Sequence, residues 1–196
     1  KDDKPYGKFV YYYEEGSVQA VIHFYDGGKL TRSKMYHHSG YLMAQGKYVN
    51  QEKDSTWIYF DDRGIISYQD SYKKGKLDGQ KVYFFEPKDN KLRIAKYEYY
   101  KNGLRHGEYK EYYENAKLKA EGHYKDGNLD GVVKYYYSNG KVKKVCRYKY
   151  AVKHGMWVFY NDQGKEEGTS LYWEGKLLKG EARKKKLAEL KESNQK

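Results

Sequence analysis

The chain has 196 residues, 38% hydrophobic and 34% charged, with a formal net charge of +12 and a mean hydropathy of −1.15. No apolar run approaches the roughly 20 residues of a membrane-spanning helix, and one cysteine, Cys146, rules out an internal disulfide or a multi-cysteine metal site. An aromatic content of 18%, including 26 tyrosines, excludes a disordered chain: large rings bury area and drive folding, and tyrosine packs its ring while its hydroxyl stays wet.

In chain order, Phe9-Val10-Tyr11-Tyr12-Tyr13 predicts a strand rich in β-formers, Gly16 a turn, Val18 to Phe24 a second strand, and Asp26-Gly27 a closing turn. The same series then recurs. A small residue that precedes an aromatic run, taken as position zero, falls at Gly7, Thr31, Ser55, Gly79, Gly107, Gly131 and Gly155, in steps of 24, 24, 24, 28, 24 and 24. The long step carries four extra residues around Glu86 to Asn90, an enlarged turn. Five places on stand Tyr12, Tyr36, Phe60, Phe84, Tyr112, Tyr136 and Tyr160. Each unit closes on Phe24, Tyr48, Tyr72, Tyr100, Tyr124, Tyr148 or Tyr172. Mid-unit turns carry Gly16, Gly40, Gly64, Ala116, Gly140 and Gly164, and Asn102-Gly103, Asp126-Gly127 and Asn139-Gly140 are strong hairpin signals because both residue types tolerate positive φ.

The fold class this predicts is all-β: a single-layer antiparallel meander of about seven tandem hairpin repeats over residues 5–180, fourteen strands, elongated and curved. Glycine every twelve residues or so defeats a helical reading. Residues 181–193, free of glycine and proline, predict a C-terminal helix whose Leu187 and Leu190 cap the open sheet edge, and 194–196 a frayed tail.

The unit Gly-x-Tyr-x-x-Tyr-Tyr-x-x-Gly-Lys-Leu, followed by Tyr-Lys-Asp-Gly-x-Leu-Asp-Gly, resembles the MORN repeat and more closely its bacterial variant. Gly107 to Gly131, Gly131 to Gly155 and Gly155 to Gly175 are the best instances, and the resemblance runs from Pro5 to Gly180. It implies a hairpin array for protein contact, in some relatives for membrane-lipid contact, among bacterial envelope and antitoxin-like proteins. Thr31 and Ser55 depart from the leading glycine, so the early units are expected to be distorted.

Function is sought where units differ, because specificity needs difference. Positions two and four after the leading residue vary, and strand alternation puts them on one face, opposite the exceptionless ladder. Trp57, Tyr59, Tyr83, Tyr109, Tyr135, Trp157 and Phe159 on that face are the candidate partner-binding residues, given the weight of Trp and Tyr in interface hot spots. The other reading of this face is a second ladder packing on itself. Arg183, Lys184, Lys185 and Lys186 form a basic cluster for anionic contact, or a solvated helix face. His106 and His154 occupy equivalent turns with no carboxylate or cysteine at ligand spacing, so no metal and no cofactor are expected. With no nucleophile elbow and no phosphate loop, an enzyme is not expected either, nor a small-molecule substrate.

The expected role is a protein-interaction scaffold, an accessory subunit of a bacterial cell-envelope assembly. The alternatives are a peripheral binder of anionic lipid or another polyanion, and an antitoxin-like neutralising protein. The partner is another protein or an anionic membrane surface; nucleic acid is disfavoured. Because the chain starts at Lys1 and not at Met, a removed leading segment and a periplasmic or envelope location are expected, with the cytoplasm as the alternative.

Overall fold

A computed structural model describes residues 4–89 and 91–193; the tail at 194–196 and Asn90 of the enlarged turn lie outside the described residues. The chain groups into two compact units, Lys1–His106 and Gly107–Lys196, the break falling where the fifth repeat begins, just after the one long step.

The first unit holds β1 (Gly7–Tyr12), β2 (Val18–Tyr25), β3 (Leu30–Tyr36), β4 (Leu42–Val49), β5 (Glu52–Phe60), β6 (Ile66–Lys73), β7 (Lys76–Lys88) and β8 (Lys91–Lys101). Each pairs antiparallel with the next. The strand β9 (Leu104–Tyr112) begins in the first unit and ends in the second, which continues with β10 (Leu118–Lys125), β11 (Asn128–Leu129), β12 (Gly131–Tyr136), β13 (Val142–Lys149), β14 (Val152–Lys153), β15 (Gly155–Tyr160), β16 (Glu166–Trp173), β17 (Lys176–Leu178) and the helix α1 (Gly180–Ser193). These strands too form an antiparallel meander. The predicted all-β repeat fold and C-terminal helix are what the structure shows.

Among the described residues seventeen strands stand where fourteen were expected, and position zero explains most of the difference. Ser55, Gly79, Gly107, Gly131 and Gly155 all have positive φ, from 58° at Ser55 to 115° at Gly79. Pairing with the preceding hairpin therefore starts about three residues earlier, is interrupted at the positive-φ residue as in a bulge, and resumes. In the sixth and seventh repeats the interruption splits the strand, giving β11/β12 and β14/β15. Thr31, β-branched, is not among the positive-φ residues, and β2–β3 pair in unbroken register from Ala20↔Met35 to Tyr25↔Leu30. At Thr31 losing the glycine thus regularises the strand instead of distorting it, whereas Ser55 keeps both the positive φ and the interruption.

Mid-repeat turns share one design. Gly16 N–H bonds Tyr13 O at 2.9 Å and Tyr13 N–H bonds Ser17 O at 2.9 Å, a type I turn closed by a left-handed residue and a bulge. The pattern recurs at His37, Asp61, Tyr113, Tyr137 and Asn161. Ala116 takes the left-handed place in one of them, at φ 62°.

Candidate functional site

The seven nominated aromatic residues share one face of their hairpins, as alternation requires, and that face is the core. Trp57 is fully buried, and Tyr109 and Trp157 are each 6% exposed. Tyr59, Tyr83, Tyr135 and Phe159 are half-buried beside them. In the second unit Tyr109, Ala120, Val133, Cys146 and Trp157 form the buried cluster, flanked by Tyr124, Tyr135, Tyr148 and Phe159. Apart from β1, where Phe9, Tyr11 and Tyr12 are all exposed, the variable row holds the most deeply buried rings, while the ladder residues Tyr36, Phe60, Phe84, Tyr112, Tyr136 and Tyr160 are half-buried.

Volume complementarity is the reason. A wide ring at one place is met by glycine or a small residue on the adjoining strand. A Cβ on Gly46 would stand 2.3 Å from the Trp57 ring, and one on Gly122 would stand 2.7 Å from Tyr109 and 3.0 Å from Val133. The ring lies flat on bare backbone, and its indole N–H is satisfied there: Trp57 Nε1 donates to Lys47 O and Trp157 Nε1 to Arg147 O, both at 3.0 Å. Lysine stems cover these rings from outside, Lys53 Nζ 4.5 Å from the Trp57 centroid and Lys153 Nζ 4.9 Å from that of Trp157. Gly46 and Gly122, which fall outside the turn period, were the signal in the sequence.

Charge enters this core in the first unit. Asp70 is 3% exposed and Glu98 fully buried. Lys81 Nζ lies 3.0 Å from Asp70 Oδ1, and Tyr72 OH donates to Oδ2 at 3.2 Å. Glu98 receives Lys96 Nζ at 2.8 Å, Arg105 Nε at 3.3 Å and Tyr100 OH at 2.9 Å. Burial pushes the Glu98 carboxyl up, but Lys96, Tyr100 and Arg105 together outweigh it and hold it below the ordinary carboxylate value. Burial pushes the Tyr59 and Tyr109 hydroxyls well up, and the thiol of the fully buried Cys146 to about 11. Among the described residues no three His, Cys, Asp or Glu side chains group as a metal site, and no helix is long and apolar enough to cross a membrane.

The basic cluster on α1 is divided. Arg183 Nη2 donates to Thr169 Oγ1 at 2.6 Å, and Lys186 Nζ sits 3.5 Å from the Trp173 ring centroid and 2.8 Å from Glu189. Both are thus turned toward β16. Lys184 pairs with Glu181 at 2.7 Å and is 76% exposed, and Lys185 is exposed. These contacts set α1 against the second face of β16 rather than beyond the edge at β17. Leu171, between Thr169 and Trp173 on that face, is fully buried.

The sequence reading missed the second face of the first unit. There a groove of about 820 Å³ is lined by Lys8, Val21, His23, Tyr25, Arg32, Ser33, Lys34, Tyr36, Gln45, Gly46, Lys47, Ser55, Thr56 and Ile58. Lys8↔His23↔Arg32↔Lys47 form one cross-strand row over β1 to β4, and Val21↔Lys34↔Gln45↔Ile58 the next over β2 to β5. No carboxylate lines it. The period-2 alternation of Lys8, Arg32, Lys34 and Lys47 against the core row would have located it.

Fold and faces together define a tandem β-hairpin repeat protein, with a self-packed aromatic face and a second face of mixed polar and apolar side chains. Residues 105–126 and 129–150 match the profile of the MORN repeat variant. These two stretches are MORN-type repeats, and the other units share their spacing and hairpin design. MORN repeats bind proteins or membrane phospholipids. No curated protein matches the sequence closely. Among solved structures, it is similar over 69% of its length to 20% of a chain in the GtfA/B complex, at 11% identity and a TM-score of 0.23. It is similar over 70% to 21% of the pneumococcal O-GlcNAc transferase GtfA in complex with UDP and GlcNAc, at 14% identity and a TM-score of 0.22. The chain thus spans about a fifth of those proteins.

Proposed function

We propose that this protein is a non-catalytic interaction scaffold that recognises another protein through the second face of its hairpins, as an accessory subunit of a cell-envelope assembly. One observation carries the reading: the aromatic face is used up by its own packing, with Trp57, Tyr109 and Trp157 at most 6% exposed. The second face carries side chains that change from repeat to repeat on a hydrogen-bonded frame, which suits selective binding. The buried acids Asp70 and Glu98 are held by Lys81, Lys96 and Arg105, an arrangement that serves structure and leaves no free acid–base pair there. Of the basic cluster on α1, Arg183 and Lys186 are spent on β16, which weakens the case for a membrane surface as the main partner.

Cross-linking in native cells followed by affinity capture tests the proposal, with fractionation reporting where the complex resides. A specific protein recovered in the envelope fraction is expected. Binding to anionic vesicles with no protein captured, or turnover of a captured small molecule, overturns it.

A further inference from the structure

We propose that the groove on the second face of β1–β5 holds an extended, acidic peptide segment of the partner protein. The proposal rests on the scaffold reading and names the chemistry of its partner.

Charge is the first argument. Lys8, Arg32, Lys34 and Lys47 line the groove with no carboxylate among its lining residues. Lys47 reaches Asp54 at 3.6 Å; Lys8, Arg32 and Lys34 have no ion-pair partner among the described residues. On the other face of the same unit, Lys81 and Lys96 each hold a buried acid. Arg32 stands directly opposite Lys47 in the β3–β4 ladder, where like charges destabilise pairing. An anion seated among these groups turns that repulsion into binding.

Shape selects the anion. The cations line a concavity, which a flat lipid surface does not enter. Val21 and Ile58 line it beside the cations, and a phosphodiester backbone has no use for them. A chain alternating acidic and apolar side chains satisfies both kinds of lining. Strands about 4.8 Å apart put roughly 19 Å between β1 and β5, the reach of about six extended residues. His23 also lines the groove, between Lys8 and Arg32 in the same cross-strand row.

The test uses the full chain and a fluorescent peptide of about six residues alternating glutamate and leucine, sized to that span. Its glutamine–leucine counterpart, phosphatidylserine vesicles and oligodeoxythymidine are the controls. Arg32 and Lys34 are both exposed, so the double variant R32E/K34E is expected to fold, as circular dichroism will verify; K8E, on another strand, is the second variant. The expected result is salt-sensitive binding of the glutamate peptide, weakened about tenfold or more by R32E/K34E and by the glutamine replacement. Equal binding by wild type and both variants overturns the proposal, as does a preference for vesicles or oligonucleotide. If the partner captured from cells binds R32E/K34E as well as wild type, the groove assignment fails and the scaffold stands. If wild type captures no protein, the scaffold reading fails.

Discussion

At the scale of single residues, stability rests on a few places where the backbone and one side chain are matched. Gly46 is the sharpest. A methyl group there meets the Trp57 ring at 2.3 Å, and that ring, fully buried, has nowhere to retreat. Gly46→Ala is expected to destabilise the protein by about 3 kcal/mol, the upper end for overpacking, measured as a lowered urea midpoint. Ala116 offers the opposite case. At φ 62° it holds a conformation that costs a side chain energy and glycine none, so Ala116→Gly is expected to stabilise by about 1 kcal/mol in the same assay. Glu98 makes stability depend on pH. Its folded carboxyl is held below its ordinary value by Lys96, Tyr100 and Arg105 against the opposing effect of burial. Its contribution is therefore complete above the unfolded pKa, and is lost as pH falls through the folded one. Glu98→Gln is expected to cost about 3 kcal/mol at neutral pH, because Lys96 and Arg105 lose their buried partner. Its stability should then fall less steeply than that of wild type between about pH 5 and 3; parallel acid titrations of the two proteins would contradict this account.

At the scale of the hairpin, neighbouring repeats are joined by more than strand pairing. Tyr13 OH donates to Tyr36 O and Tyr113 OH to Tyr136 O, both at 2.7 Å, and Tyr137 OH to Tyr160 O at 2.8 Å. Each turn thus reaches the end of the leading strand one repeat on. Asn115 Nδ2 to Ser138 O and Asn139 Nδ2 to Asp162 O repeat the connection between turns, at 2.9 and 2.8 Å. Tyr113→Phe and Tyr137→Phe should each lower stability by about 1 kcal/mol with native circular dichroism retained, whereas Tyr11→Phe, whose ring is 44% exposed, should be near neutral. The hairpins themselves were legible in the sequence, since turn glycines and paired aromatic columns fix where strands begin and end. The column five places on was legible as a repeat element but not in its role. It ends the leading strand in every repeat but the fourth, where β7 runs on past Phe84 to Lys88, and in three of the repeats its carbonyl takes the tyrosine of the preceding turn. The interruption at position zero was hidden because a glycine inside a strand and one in a turn look alike along the chain.

At the scale of the molecule, the sequence left two readings of the variable face open, a partner surface and a ladder packing on itself, and the burial of Trp57, Tyr109 and Trp157 favours the second. Residue changes from repeat to repeat at positions two and four looked like specificity. They are changes of volume, balanced between neighbouring strands by Gly46 and Gly122, and only the cross-strand register shows which residue balances which. The groove of Lys8, Arg32, Lys34 and Lys47 stayed hidden for a related reason: its cations are 24, 2 and 13 positions apart in the chain and converge only once four strands are aligned. Cys146 lies in the core of the second unit, fully buried and with its thiol pushed up to about 11. While the unit stays shut, a neutral, enclosed sulfur is a poor nucleophile. Offered an excess of alkylating reagent, the protein should take up a single label at a rate set by how often its sheet breathes, not by the reagent's concentration. The lone cysteine is a built-in stopwatch for the second unit: at saturating reagent the labelling rate reads how often the unit opens, and at lower reagent, where the rate rises in proportion, it reads the fraction of time the unit stands open.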